Sequence, residues 1–440
     1  MARRLFPGSL VEYKSGLAAA LETTQSLIAD SNVKVIHEAT FCHDGILVRV
    51  DILERNSDGW ILTEVKGSTS VKSHYLHDAA IQVWVLVGSG LNIKSVRLMH
   101  LNNQFVYMGD GKYDGLLVSQ NIDAEVKGIL GSIQEQKDEL VAALNGDEPD
   151  IGMGPQCDKP YVCEFCSYCM PENIPEYPVT ILPNLREPKK SDLTSRYSDV
   201  REIPESELTN ANHLRVLRVT KNGEEEVDIA EASALSELPW PRYYLDFETV
   251  ALAVPRWEGT KPYMQVPFQW SCHIHHEDGR LEHAEFLDVS GNDPRRACAE
   301  SLVQNLGKDG VVLTYNATFE RRVVSELADM YPDLHDELMN IHDRIDDLLP
   351  ITRRTYYHPS QKGSWSIKAV LPALVPELSY KDLDGVQHGE DAQLAWLKAS
   401  KTQDSEREKV TEQLLEYCKL DTLAMVKIVE ALERRIALAS

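Results

Sequence analysis

The stretch Tyr243–Val250, YYLDFETV, leaves fewer folds open than any other part of this 440-residue chain. Its apolar and aromatic residues mark a strand, and Asp246 and Glu248 stand two apart within it. Side chains two apart in a strand leave the same face, so the two carboxylates are neighbours. Paired anions repel unless a cation lies between them. The spacing points to a divalent-metal site; a solvated strand face is the alternative.

Two later segments carry acids in related settings. Val311–Glu320, VVLTYNATFE, reads as an apolar strand that turns at Asn316 into a helix opened by Phe319 and Glu320. Tyr417–Asp421, YCKLD, falls in a helix expected from about residue 406 to 438. Residues four apart share a helix face, which puts the Tyr417 hydroxyl one turn from the Asp421 carboxylate. A phenol beside a metal-binding carboxylate can orient an attacking water.

In this order the segments resemble the DEDD exonucleases of RNase H-like fold. There a strand Asp-x-Glu, an Asn-x-x-Phe-Asp turn and a helical Tyr-x-x-x-Asp supply the metal ligands. The resemblance covers roughly residues 240–438. Asp347-Leu348-Leu349 and the stretch from Tyr356 to Lys368 are similar to the matching part of polymerase proofreading domains. It implies that Asp246, Glu248, Glu320 and Asp421 hold Mg²⁺ or Mn²⁺ and that Tyr417 positions the water. It also implies 3′-5′ trimming by two-metal hydrolysis, with ions about 4 Å apart. Glu320 departs from the pattern, being one methylene longer than the usual Asp, which bears on metal spacing and preference. Arg353, Arg354, Tyr356, Tyr357, His358, Lys362, Trp365 and Lys368 mix cations with aromatics as a single-strand channel does. An ordinary amphipathic loop is the alternative for any one of them.

A second constellation lies upstream. Gly45–Glu54 and Trp60–Lys66 read as strands joined by the turn Asn56-Ser57-Asp58-Gly59. A helix over 75–87, a strand over 95–101 and a helix over 130–144 are expected to follow. The hairpin carries Asp51 on one strand and Glu64-x-Lys66 on the next, with Glu38 before it and Gln82 on the helix. Such a set can offer two metal ligands and an ammonium for a phosphate; an exposed charged hairpin is the alternative. The set resembles the RecB-like branch of the PD-(D/E)xK nucleases, with Asp51, Glu64, Lys66 and Gln82 matching residue by residue. Leu86 occupies the place of the tyrosine expected four residues after the glutamine. His37 or His43 is open as a further ligand or as a structural residue.

Cys157, Cys163, Cys166 and Cys169 pack four soft ligands into thirteen residues, which suits zinc or an iron–sulfur cluster. RecB-like nucleases related to the CRISPR adaptation nucleases carry a 4Fe–4S cluster at this place, and the resemblance favours that over Zn²⁺. In those relatives one of the four cysteines lies upstream of the core, so here either Cys166 is the fourth ligand or the start is truncated and only three of these cysteines are native ligands. Cys42, Cys272, Cys298 and Cys418 are expected as buried apolar residues, Cys42 in a core strand.

These readings make an α/β protein: a restriction-endonuclease-like PD-(D/E)xK domain over 1–170 that ends in the cysteine cluster, a Pro-rich linker or wrapping arm over 171–240, and an RNase H-like exonuclease domain over 241–440. With phrases such as EVKGSTSVK, PYVCEFCSYC, YYLDFET and GSWSIKAVLP, the chain is identified as a member of the bacterial family catalogued as domain of unknown function 2779. The expected activity is a metal-dependent nuclease whose partner is nucleic acid, DNA with single-stranded ends. The other open reading is a nucleic-acid-binding or adaptor protein with one or both centres inactive. The formal net charge of −24 argues against tight duplex coating, because polyphosphate partners favour basic proteins. No signal peptide and no apolar run of spanning length is apparent, so a cytoplasmic protein with no membrane partner is expected.

Overall fold

The computed structural model describes every residue except 1, 171–172, 379, 381–382, 384, 387, 404 and 440. It is a mixed α/β protein that packs as two units. The first comprises residues 1–170 and 252–264, the second residues 171–251 and 265–440.

The first unit opens with α1 (Ala2–Leu5), β1 (Ser9–Leu10) and α2 (Leu17–Ala29). Then come β2 (Val35–His43), β3 (Ile46–Asn56), β4 (Gly59–Lys66), α3 (Ser73–Gly88) and β5 (Ile93–Leu101). β6 (Leu117–Asn121), α4 (Asp123–Asn145) and the short α5 (Cys166–Cys169) complete it. The six strands form one sheet in sequence order. β2, β3 and β4 are an antiparallel meander, and β5 runs parallel to β4 after the α3 crossover. Asn56 pairs with Gly59, so the β3–β4 hairpin closes through a two-residue loop as its turn residues dictate. Ile36, Val50, Leu53, Leu62, Leu86 and Leu98 are fully buried between the sheet and its helices.

The second unit starts with a segment expected as linker or arm. Residues 173–238 instead fold as short helical pieces with α6 (Lys189–Arg196), α7 (Ala211–Asn222), β7 (Glu226–Val227) and α8 (Ile229–Ser236), and bury Val179, Leu193, Val200, Val216 and Leu235. Gly363, at φ +76°, admits this segment so closely that a Cβ there would collide with the Ile181 carbonyl.

Next come β8 (Arg242–Ala251), β9 (Gln265–His275), β10 (Leu281–Leu287), α9 (Arg295–Asn305), β11 (Val311–Thr314) and α10 (Thr318–Met330). α11 (His335–Asp343), β12 (Ile345–Asp347), α12 (Leu348–Thr355), β13 (Tyr356–Tyr357) and α13 (Ile367–Leu374) follow. α14 (Gly389–Ala399) and the 35-residue α15 (Ser405–Ala439) end the chain. The main sheet has the order β10-β9-β8-β11-β12, with β8, β9 and β10 antiparallel and β11 and β12 parallel to β8. Alternation along β8 sends Tyr243, Leu245 and Phe247 into a core with Trp270, Leu302, Val324 and Leu338. The intervening residues, Asp246 and Glu248 among them, leave the opposite face.

Candidate metal centres

In the second unit, one carboxylate oxygen from each of Asp246, Glu248 and Asp421 lies within 4.8 Å of the others, the only such group of three metal-capable side chains found among the described residues. Two neighbours on a strand face and one residue of α15 thus meet. Glu248 and Asp421 are buried, Asp246 half-buried. Burial, followed by the charges of Asp421, Glu248 and Glu320, drives the Asp246 carboxyl well above its usual range. Burial and Asp421 push Glu248 up to about 8. Asp421 rises less, to about 6: burial raises it, but the Tyr380 hydroxyl, the Lys368 charge and the Tyr417 hydroxyl hold it down.

The walls of the site are equally specific. Tyr380 donates to Asp421 Oδ1 at 2.6 Å. The Lys368 ammonium lies 5.1 Å from the centre of the Tyr380 ring and 5.4 Å from that of Tyr417, and its Nζ is 3.0 Å from His388 Nδ1. The Cys418 thiol is fully buried, with Sγ 3.7 Å from Asp246 Oδ2. Tyr417 is buried, and burial with the three acids raises its pKa.

Glu320 stands outside the group of three. The turn that delivers it is built as its sequence suggests: Asn316 takes φ +84°, a conformation Asn tolerates, and its amide donates to Asp347 Oδ1 at 2.9 Å. Glu320 in the first turn of α10 is 3 % exposed, and its Oε2 has no hydrogen-bond partner. Burial, then Asp347, raises its pKa to about 8. An orphaned buried carboxylate oxygen is costly, and a cation would satisfy it.

In the first unit, the strand register sets Glu38, Asp51 and Glu64 abreast on β2, β3 and β4: His37 faces Ile52, Ala39 faces Val50, and Ile52 faces Thr63. Beyond Ile52–Thr63 the ladder stops. There Asp51 Oδ2 accepts from the Val65 amide at 2.7 Å, so a carboxylate replaces a backbone partner. Glu38 adopts φ +59°, rare for a side-chain-bearing residue and a mark of local strain, and pairs with Arg49 at 3.1 Å. Glu64 is buried; Lys66 Nζ lies 2.8 Å from its Oε1, and Gln82 Nε2 donates to its Oε2 at 2.8 Å. Burial and Asp51 raise Glu64 to about 7. Burial, then the charge of Glu38, raises Asp51 against the lowering bond from Val65. Lys66 also bonds Asp78; burial opposes its charge, but its bonds to Asp78 and Glu64 win and its pKa rises.

Other expected site residues are placed differently. Cys157, Cys163 and Cys166 are half-buried and Cys169 exposed, all four as free thiols. Cys166 is raised by burial and by Cys157 and Cys163, so these sulfurs lie near one another, though not in a set of three as tight as the acidic one. Cys272, Cys298 and Cys418 are buried, whereas Cys42 is exposed on β2, which corrects its placement in the core. His37 is buried with its ring nitrogens on the carbonyls of Asp51 and Phe6, a structural setting. The expected single-strand channel does not form as one open surface. Tyr357 is fully buried with its hydroxyl taking the Gly363 amide, and Trp365 is 4 % exposed and donates to the Tyr356 carbonyl. Arg354 is paired with Glu231 at 2.8 Å, Arg353 lies over Trp365, and Lys362 is exposed at φ +45° just after the Pro359–Gln361 turn. Of the eight residues expected to line it, Lys368 is the one whose charge acts on the carboxylates of Glu248 and Asp421. Tyr380 and Asp78 were not anticipated. Tyr380 lies in an irregular stretch without periodicity, while Asp78 precedes Gln82 by one helical turn, a spacing that could have flagged it.

Residues 243–366 match the family described as "Domain of unknown function (DUF2779)". The matched segment runs from Tyr243 in β8 to Ser366 and so includes Asp246, Glu248 and Glu320. No curated protein and no solved structure matches the chain. No helix among the described residues is long and apolar enough to cross a membrane.

Proposed function

We propose that this protein is a metal-dependent nuclease with two phosphodiester-hydrolysing centres, a 3′-5′ exonuclease centre in the second unit and a PD-(D/E)xK centre in the first. The observation that carries the reading is the convergence of Asp246, Glu248 and Asp421 within 4.8 Å, two from one strand face and one from a helix. The β10-β9-β8-β11-β12 order, three antiparallel strands followed by two parallel ones, supports an RNase H-like domain; the β2–β6 sheet with its α3 crossover supports a restriction-endonuclease-like one.

The donors fit hard divalent cations such as Mg²⁺ or Mn²⁺: all are carboxylate oxygens, and one buried oxygen of Glu320 is unsatisfied. Asp246, Glu248 and Asp421 would hold the metal, with Glu320 a further ligand. When bound, it supplies charge for the phosphoryl oxygens and a lowered water pKa. The chain's own groups do the rest. Tyr380 fixes Asp421 Oδ1 by hydrogen bonding. Tyr417, whose raised pKa keeps its hydroxyl protonated, can donate to or orient the attacking water. Lys368 lies where a phosphate oxygen would gain from a cation. At the other centre Asp51 and Glu64 are the ligand pair, and Gln82 and Lys66 hold Glu64 in orientation. Cysteines 157, 163, 166 and 169 are proposed to bind a 4Fe–4S cluster, with Zn²⁺ the alternative; thiol spacing supports it, and absorbance near 400 nm of anaerobically purified protein tests it.

End-labelled single- and double-stranded DNA and RNA, incubated with Mg²⁺ or Mn²⁺, test the main reading. The wild type should shorten DNA from its 3′ end, with Asp246→Ala removing that trimming and Asp51→Ala removing the remaining cleavage. Absence of degradation by wild-type protein with either metal sinks the enzymatic reading and favours an adaptor.

A further inference from the structure

We propose that the loop joining β4 to α3, residues 67–72, is a phosphate-binding subsite that holds the backbone phosphate flanking the bond cut at the Asp51–Glu64–Lys66 centre; it rests on the reading of that centre as a nuclease. The sequence GSTSVK follows Lys66 directly. A cavity of about 450 Å³ opens on it, lined by Ser68, Thr69, Ser70, Lys72 and Tyr75 with Tyr263 of the 252–264 loop in the same unit. No carboxylate lines it, in a chain with 69 acidic residues against 45 basic ones. A pocket of this composition is therefore not the ordinary surface of this protein.

The loop's own hydrogen bonds decide what it offers. The Gly67 carbonyl accepts from the Tyr263 hydroxyl, the Ser68 carbonyl from the Leu101 amide at 2.9 Å, and the Ser70 carbonyl from Ser68 Oγ at 2.7 Å. With the Ser68 and Tyr263 protons committed to these carbonyls, the donors left for a ligand are the Thr69, Ser70 and Tyr75 hydroxyls and the Lys72 ammonium, groups of the kind that contact phosphate oxygens in nucleic-acid complexes. Tyr75 ties the pocket to the centre. Its ring has the Lys66 ammonium 5.3 Å from its centroid and the Lys72 ammonium 5.9 Å from it. Lys66 touches Glu64, and Lys72 lines the pocket, so a strand laid past Tyr75 passes from the cutting residues to the loop. Lysine serves such a phosphate as a point charge, with Tyr75 as a flank for sugar or base.

The test uses full-length protein silenced by Asp51→Asn and Asp246→Asn, so that binding is read with Mg²⁺ present. A fluorescein-labelled single-stranded 15-mer and inorganic phosphate are titrated against this protein with and without Lys72→Ala, Lys72→Arg or Ser70→Asp. Lys72→Ala should weaken the 15-mer at least fivefold and lower the salt slope by about 0.7, as loss of one phosphate contact does on single strands. Ser70→Asp should weaken it further, Lys72→Arg should restore it, and melting temperatures should stay unchanged. Binding of the 15-mer that ignores both Lys72→Ala and Ser70→Asp overturns the subsite while leaving the nuclease reading intact. If no oligonucleotide binds yet inorganic phosphate binds in a Lys72-dependent way, the anion chemistry of the loop stands and the nuclease reading falls.

Discussion

The two acidic centres solve the same electrostatic problem in opposite ways. In the first unit Glu64 is neutralised from within, by Lys66 at 2.8 Å, and that lysine is anchored a second time by Asp78. In the second unit Asp246, Glu248 and Asp421 converge within 4.8 Å, and Lys368 reaches them through the faces of two tyrosines. Both centres are left with raised carboxyl pKa values that a divalent ion would lower, but the first carries a lysine in contact with its glutamate, whereas the second has three acids converging with its lysine held off on tyrosine faces. The difference teaches that metal should contribute more to the folding of the second unit, where three acids converge, than to that of the first, where Lys66 already offsets part of the charge.

The sharpest way to break this comparison is to remove a ligand. Asp246→Ala and Asp421→Ala should each lower 3′ trimming about 10³-fold, roughly 4 kcal/mol of barrier, in single-turnover assays. A fall below tenfold would move the metal elsewhere. Next comes the pH dependence of metal-free stability. Free Asp and Glu titrate near 4, whereas Glu248 and Glu320 stand at about 8 and Asp421 at about 6 in the folded chain. The folded state therefore binds more protons, and the stability these groups contribute is present below pH 4 and lost as pH rises through 6 to 8. Melting of the second unit in chelator should drop by several degrees between pH 5.5 and 8.5, and added Mg²⁺ should recover it only at the higher pH. Glu64, at about 7, carries the same sign, so Glu64→Gln is the control that isolates the second unit.

Smaller effects refine the picture. Glu320→Asp shortens the side chain by a methylene and should shift the ratio of Mg²⁺- to Mn²⁺-supported rates about tenfold; an unchanged ratio would remove Glu320 from the metal shell. Tyr380→Phe deletes a 2.6 Å hydrogen bond to a carboxylate and should slow trimming severalfold, with a stability loss of about 1–2 kcal/mol in denaturant titration.

How far the sequence reaches follows from the range of the forces involved. Strand alternation put Asp246 and Glu248 on one face, and the i,i+4 rule put Tyr417 beside Asp421, because both depend on local backbone geometry alone. The Asn56–Gly59 turn was equally local. What stayed hidden depended on partners distant in sequence. Tyr380 meets Asp421 across 41 residues of chain with no periodic signal. Tyr357 and Trp365 looked like a stacking surface, but aromatic side chains bury large areas: β7 pairs against Tyr357, which a Pro-rich composition did not suggest, and Trp365 packs on the Tyr357 ring. Cys42 was assigned to the core by its strand, yet alternation makes each strand residue choose a face, and Cys42 falls on the exposed one.

The thirteen residues 252–264 lie between β8 and β9 of the second unit but pack with the first, where Thr260 and Gly259 exchange backbone hydrogen bonds with Tyr107 and the Pro255 carbonyl accepts from Tyr113. For genetic dissection this means that no single cut separates the units. A gene split after residue 170 yields a first piece lacking part of its own fold. It also yields a second piece whose excursion begins four residues past Glu248, with nothing to pack on. Loss of either activity in such halves would report a broken fold rather than a missing catalyst, so the two centres are best told apart by point substitution in the intact chain.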